Sequence, residues 1–132
     1  AYDEAASVIA DTLGNIYLAG RFASNTITFG STTLTNTNNG YQDIFLVKYD
    51  TSGNVIWAKK FGGASDDGAT SEFTDDAVNI YMGGGFSSSS INFGSTTLFN
   101  NGNNNGDMFI AKVPDPLRRV TPRNGQFHIR HF

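Results

Sequence analysis

The chain repeats itself at an offset of about 64 residues, and an internal repeat constrains architecture before any local propensity does. Asp3-Glu4-Ala5-Ala6-Ser7 aligns with Asp67-Gly68-Ala69-Thr70-Ser71, and Asn15-Ile16-Tyr17-Leu18-Ala19-Gly20-Arg21-Phe22 with Asn79-Ile80-Tyr81-Met82-Gly83-Gly84-Gly85-Phe86. Ile27-Thr28-Phe29-Gly30-Ser31-Thr32-Thr33-Leu34 aligns with Ile91-Asn92-Phe93-Gly94-Ser95-Thr96-Thr97-Leu98, and Asp43-Ile44-Phe45-Leu46-Val47-Lys48 with Asp107-Met108-Phe109-Ile110-Ala111-Lys112. No gap is needed and roughly half of the aligned positions are identical, which marks a duplicated structural unit. Residues 1–66 form the first repeat, 67–113 the first three strands of the second, and 114–132 a divergent tail.

The repeat is β-rich. Aromatic residues reach 13% with Phe dominant, charged residues are 16%, and Gly, Asn, Ser and Thr fill much of the rest. Thr, Phe and Tyr suit a pleated surface, while Gly and Asn supply turns. Within the first copy, strands are expected at Ser7–Asp11 and Asn15–Phe22, joined by Thr12-Leu13-Gly14, and at Ile44–Tyr49 and Val55–Phe61, joined by Asp50-Thr51-Ser52-Gly53-Asn54. The Thr26–Leu34 segment bridges the two hairpins. Four antiparallel strands per repeat is the plan of a propeller blade, which cannot bury both of its faces without neighbours. The expected fold class is therefore all-β: propeller-type blades, two four-stranded antiparallel sheets per chain. The second sheet is completed by the divergent C-terminal strand or by a partner chain.

The ordered motifs carry a family resemblance. Asp11-x-x-Gly14-Asn15-Ile16-Tyr17-Leu18-Ala19-Gly20-x-Phe22 is followed by Phe29-Gly30-Ser31-Thr32-Thr33-Leu34. The run from Asp43 through Tyr49-Asp50-x-x-Gly53-Asn54-Val55-Ile56-Trp57-Ala58-Lys59-Lys60-Phe61-Gly62-Gly63 completes the pattern. Together they resemble the bacterial SBBP-type β-propeller repeat over residues 3 to about 113. The resemblance implies a secreted or surface-attached bacterial protein and points to no catalytic residues.

The second copy departs from the first. Gly14 becomes Val78, Ala10 becomes Thr74, and Val8 becomes Glu72, so an exposed or interfacial strand is expected at Glu72. The Asp-x-x-Gly-Asn hairpin and its Trp-bearing strand do not recur, and Pro114 and Pro116 interrupt any ladder after Lys112. Asn124-Gly125-Gln126-Phe127-His128-Ile129-Arg130-His131-Phe132 alternates apolar and polar residues behind a turn signal, as a final strand would. Its Asn-Gly-Gln-Phe start, behind a Pro-containing stretch, is faintly similar to the start of a type IX secretion sorting domain.

Composition narrows the functional classes. A net charge of −3 leaves no electrostatic footprint for nucleic acid. Cysteine is absent, which excludes disulfides, thiolate catalysis and Cys-ligated zinc, and no apolar run has the length of a membrane span. His128 and His131, three apart on an extended strand, point to opposite faces and read as ordinary polar positions. No nucleophile is paired with a base, so no enzyme is expected. Asp11, Asp50 and the pair Asp75-Asp76 read as turn residues. Asp3, Glu4, Asp66 and Asp67 are the weak calcium candidates, short of the six or more oxygen ligands that calcium takes; otherwise no cofactor is expected.

Trp57, Phe61, Phe22, Phe86, Phe29, Phe93, Tyr17 and Tyr81 are read as blade-packing residues rather than sugar platforms, because most recur at matched positions. Glu72, Phe127, Ile129 and Phe132 are the assembly candidates. Two blades cannot close a ring, which leaves a fragment of a longer propeller, a ring of several chains, or a head-to-tail filament. The chain begins at Ala1, consistent with a removed leader or a cut, while an end shortly after two blades favours a self-assembling subunit. The expectation is a non-catalytic extracellular bacterial structural protein with itself as partner. The alternative is a propeller module that binds surface glycan or protein.

Overall fold

The computed structural model describes residues 1–74, 79–94, 96–101, 106–113 and 115, and every regular element among them is a β-strand. The first repeat contributes β1 (Asp3–Ala10), β2 (Ile16–Phe22), β3 (Thr26–Phe29), β4 (Thr32–Thr35), β5 (Asp43–Tyr49) and β6 (Val55–Phe61). The second contributes β7 (Asp67–Thr74), β8 (Ile80–Phe86), β9 (Ser90–Asn92), β10 (Thr97–Phe99) and β11 (Asp107–Val113). Strands β1-β2-β5-β6 form one antiparallel sheet, and β7-β8-β11 form the matching three-stranded sheet of the second blade. The position of a fourth strand in that blade, and the whole tail with Phe127, Ile129, Phe132, His128 and His131, lie outside the described residues, as do Asp75 and Asp76.

Both hairpins of the first blade turn by one device. Asp11 Oδ1 accepts the backbone N–H groups of Leu13 and Asn15, and Asp50 Oδ1 accepts those of Ser52 and Asn54. Gly14 and Gly53 then take φ of 84°, the left-handed conformation in which a Cβ is strained. The short side chain of Asp mimics a turn of backbone, which is why Asp-x-x-Gly-Asn stands in both places.

The segment expected to bridge the hairpins is itself a hairpin, β3–β4, paired from Thr26↔Thr35 to Phe29↔Thr32 around Gly30. Its copy, β9–β10, lies in the same way on the second blade. The rings of Phe29 and Phe45 sit 5.1 Å apart at 44°, and those of Phe93 and Phe109 sit 4.9 Å apart at 44°. The first strand also begins earlier than expected, at Asp3 instead of Ser7, because a bulge at Ala5/Ser7 carries the ladder through a stretch without clear alternation. The second blade repeats that bulge at Ala69/Ser71. Opposite each bulge stands a glycine: a Cβ on Gly20 would meet Glu4 O at 2.0 Å, and one on Gly84 would meet Gly68 O at 2.0 Å.

Each blade has two faces, since successive side chains alternate across the sheet. The front face carries Leu18, Phe22, Phe45 and Val47 in the first blade and Met82, Phe86, Phe109 and Ala111 in the second. Its inserted hairpin covers part of it. The back face carries Tyr17, Ala19, Ile44 and Leu46 in the first blade. The back of the first blade packs on the front of the second, and the larger of the two apolar clusters is this seam. Among the described residues, the front of the first blade has only its β3–β4 hairpin for cover.

Candidate functional site: the seam between blades

Of the eight aromatic residues expected to pack blades, Tyr17, Trp57, Phe61, Phe86 and Phe93 belong to the larger cluster at the seam, Phe22 and Phe29 belong to the smaller one on the front of the first blade, and Tyr81 is part of neither. Tyr17, Phe22, Trp57, Phe61, Phe86 and Phe93 are buried, whereas Phe29 and Tyr81 are half-buried. Phe61 of the first blade meets Phe93 of the second at 5.2 Å between ring centroids, which ties the last strand of one blade to the inserted hairpin of the next. Tyr17 lies 6.3 Å from Trp57 and donates its hydroxyl to Asp11 Oδ2. The indole of Trp57 is not an open platform: its Nε1 donates to Asp115 Oδ1 at 3.0 Å.

Asp115 is a seam residue that sequence reasoning missed. It lies two residues past β11, yet its carboxylate is buried on the first blade, where Oδ2 also accepts from Lys48 Nζ. Lys59 Nζ lies over the indole, 5.7 Å from the ring centroid; burial lowers its pKa, and Asp115 opposes that shift. Pro114 and Pro116 signal that the chain leaves the ladder there, but not that it turns back across the seam.

The four acidic calcium candidates hold protein donors. Asp3 Oδ1 accepts from the backbone of Ala23 and Ser24, and its Oδ2 from the Ser24 hydroxyl. Asp67 repeats this on Ser88 and adds the backbone N–H of Gly63. Glu4 pairs with Arg21 at 2.8 Å, and Asp66 accepts from the backbone of Gln42. Among the described residues, no three carboxylates or histidines gather where they could hold a metal ion. Burial, together with the nearby Asp43 carboxylate, pushes the Asp67 carboxyl up, against the pull of its three donors.

The link between blades is steric as well as polar. Asp43 is fully buried, accepts from the backbone of Thr37 and lies 3.5 Å from Lys60 Nζ. A Cβ on Gly62 would fall 2.1 Å from Asp43 Oδ1, and one on Gly63 would fall 2.7 Å from the Ser88 side chain. Only glycines let β6 pass into β7 this closely.

Glu72 sharpens an expectation. An exposed or interfacial strand was expected at this position; the side chain is not exposed, being 6% accessible inside the seam, and neither oxygen has a hydrogen-bond partner among the described residues. Burial alone pushes its pKa up to about 8. The reason is positional. Strand β7 lies on the first blade, so its front-facing position is covered, whereas Val8 at the same place in the first repeat is 65% exposed. The same inversion holds elsewhere on the two faces. Ile44 and Leu46 are 0% exposed on the covered back face, and their counterparts Met108 and Ile110 are 56% and 38% exposed on the free one. Ile80 is 0% exposed on the covered front face, and Ile16 is 37% exposed on the free one.

Beside the seam runs an open groove of about 320 Å³, lined among others by Arg21, Gln42, Asp66, Thr70 and Met108. Its lining sets Arg21 among the Asp66, Asp67 and Asp107 carboxylates.

No family model matches the chain. An uncharacterized WD repeat-containing protein of Acanthamoeba polyphaga mimivirus is 28% identical over 81 residues, 61% of this chain and 5% of that protein's length. No solved structure matches. Repeat, all-β sheets and this distant similarity together point to a repeat protein of β-propeller type.

Proposed function

We propose that the chain is a non-catalytic structural module of propeller type, whose blades associate between chains into a ring or filament. The observation that carries this reading is the seam: the larger apolar cluster is built from both blades, and each blade keeps a second face of the same kind. Blades of this sort are stabilised by neighbours, and among the described residues no blade covers Val8 and Ile16 on the front of the first or Met108 and Ile110 on the back of the second. The extracellular bacterial setting and the kinship to SBBP-type repeats belong to the same proposal and are supported by the ordered motifs of the two repeats.

Light scattering with electron microscopy tests it. Rings or fibres in purified protein are the expected result, and a particle of 14.2 kDa at all concentrations overturns the reading. The alternative, a module that binds glycan or protein, has the groove lined by Arg21 and Asp66 in its favour. It predicts glycan binding that Arg21→Ala abolishes while the fold persists.

A further inference from the structure

The two free faces are not generic apolar surface. Each is one half of a seam whose other half is visible inside the chain. The back of the first blade receives the front of the second; the front of the first and, over the three described strands, the back of the second repeat these surfaces shifted by one repeat. At three matched pairs of positions the residue is buried where a neighbouring blade covers it and exposed where none does: Ile44 against Met108, Leu46 against Ile110, Ile80 against Ile16; Phe22, Phe45 and Val47, by contrast, are buried on the front of the first blade itself. The free positions keep large apolar side chains, although a solvated strand face ordinarily carries polar ones.

Resting on the self-association reading above, we infer that the occupant of these faces is a second copy of this chain, docked head to tail. The front of its first blade sits on the back of the other copy's second blade, in the register of the internal seam. Translating the internal seam by one repeat sets Val8 and Ile16 of one copy against the face that carries Met108 and Ile110 of the other. Leu18, half-buried beside Val8, takes the place that Met82 holds inside the chain.

Two further observations favour this partner. The seam between copies receives Val8 where the internal seam buries Glu72 without a hydrogen-bond partner among the described residues, so it forms without enclosing that carboxyl. The contact is also heterologous: a front binds a back, never a front. Every added copy therefore presents a fresh front at one end and a fresh back at the other, and growth stops only if the rotation closes a ring.

Heterologous contact has a signature that a complementation experiment reads. Val8→Asp blocks only the front, and Met108→Asp blocks only the back; both positions are more than half exposed. Each variant alone is expected to run as a single 14.2 kDa chain. An equimolar mixture is expected to yield a two-chain species and nothing larger, because one intact front meets one intact back. Ile16→Asp and Ile110→Asp provide a second pair, and Trp57 fluorescence verifies the fold in every sample. If wild-type chains associate and neither variant alters their mass, association uses other surfaces, and head-to-tail docking falls while the self-association reading stands. Head-to-tail docking falls equally if only one variant blocks assembly, or if the mixture stays monomeric. Wild-type protein that stays a monomer overturns both.

Discussion

Val8 and Glu72 occupy one position of the repeat, yet the valine faces solvent and the glutamate is buried in the seam. The pairing inverts the usual rule that apolar groups are covered and charges exposed. It follows from which blade has a neighbour, and it gives the chain an unusual pH dependence. The Glu72 carboxyl, pushed up to about 8, holds a proton in the folded chain over a range where the unfolded chain, near the ordinary value of 4.5, has lost it. Folding then takes up a proton, so stability falls as pH rises from about 4.5 to about 8 and levels off above that. Glu72→Val, which restores the side chain of the first repeat, is expected to raise stability at pH 9 by an amount on the order of a few kcal/mol and to flatten that slope. Urea titrations at pH 5 and pH 9 measure both effects.

On the acid side the turn carboxylates take over. In Asp11, burial pushes upward but is outweighed by hydrogen bonds from Asn15, Leu13 and Tyr17, so the net shift is downward. In Asp50, bonds from Asn54 lead the lowering. A lowered carboxyl contributes stability that is present above its unfolded value of 3.8 and is lost as pH falls through its folded value. Wild-type protein is therefore expected to be most stable near about pH 4 to 5, between this loss and the Glu72 slope. Asp11→Asn should blunt the acid limb alone, which thermal melts from pH 2 to 6 resolve.

Much of this architecture is legible in the residues. Strand β6, at Val55–Phe61, lies where alternation placed it, and the Asp-x-x-Gly-Asn turns fold as their chemistry demands. Those signals are local: a period of two, a glycine with positive φ, a side chain that caps its own turn. The β3–β4 hairpin was hidden because four-residue strands around Gly30 give too few alternations to count. Burial at Glu72 and the reach of Asp115 to Trp57 were hidden for another reason. Both depend on how one blade lies on the next, and a repeat assigns equal positions to equal residues without saying which copy is covered.

The glycines at the bulges make a paired prediction. Gly83 and Gly84 are neighbours on β8, but only Gly84 faces the bulged backbone, where a Cβ would strike Gly68 O at 2.0 Å. The nearest atom to a Cβ on Gly83 is Phe109 O at 3.7 Å, an ordinary contact, and the first repeat already carries Ala19 there. Gly83→Ala is expected to stabilise the chain by about 0.5 kcal/mol, since alanine reduces the freedom of the unfolded chain. Gly84→Ala is expected to destabilise it by about 3 kcal/mol, because backbone must move. Opposite signs at adjacent residues, read from denaturation midpoints, would locate the bulge contact; equal effects would rule it out.

Asp115 provides the last test, because it joins the two blades through charge. With its side chain nearly inaccessible and that of Lys48 12% exposed, the pair sits largely out of water. Removing one member of such a pair leaves the other charge without its partner, which costs more than the pair itself contributes. Asp115→Ala is therefore expected to destabilise the fold by about 3 kcal/mol, and to leave the Trp57 N–H without its carboxylate. Replacing Lys48 by Met in the same chain removes the stranded ammonium and should recover part of that loss, a non-additivity that a double-mutant cycle measures. Trp57 is the only tryptophan in the chain, so emission reports the surroundings of this one indole. A red shift in Asp115→Ala under native conditions, with strand content retained, is the expected outcome. An unshifted spectrum would mean that Asp115 does not hold the indole in the seam.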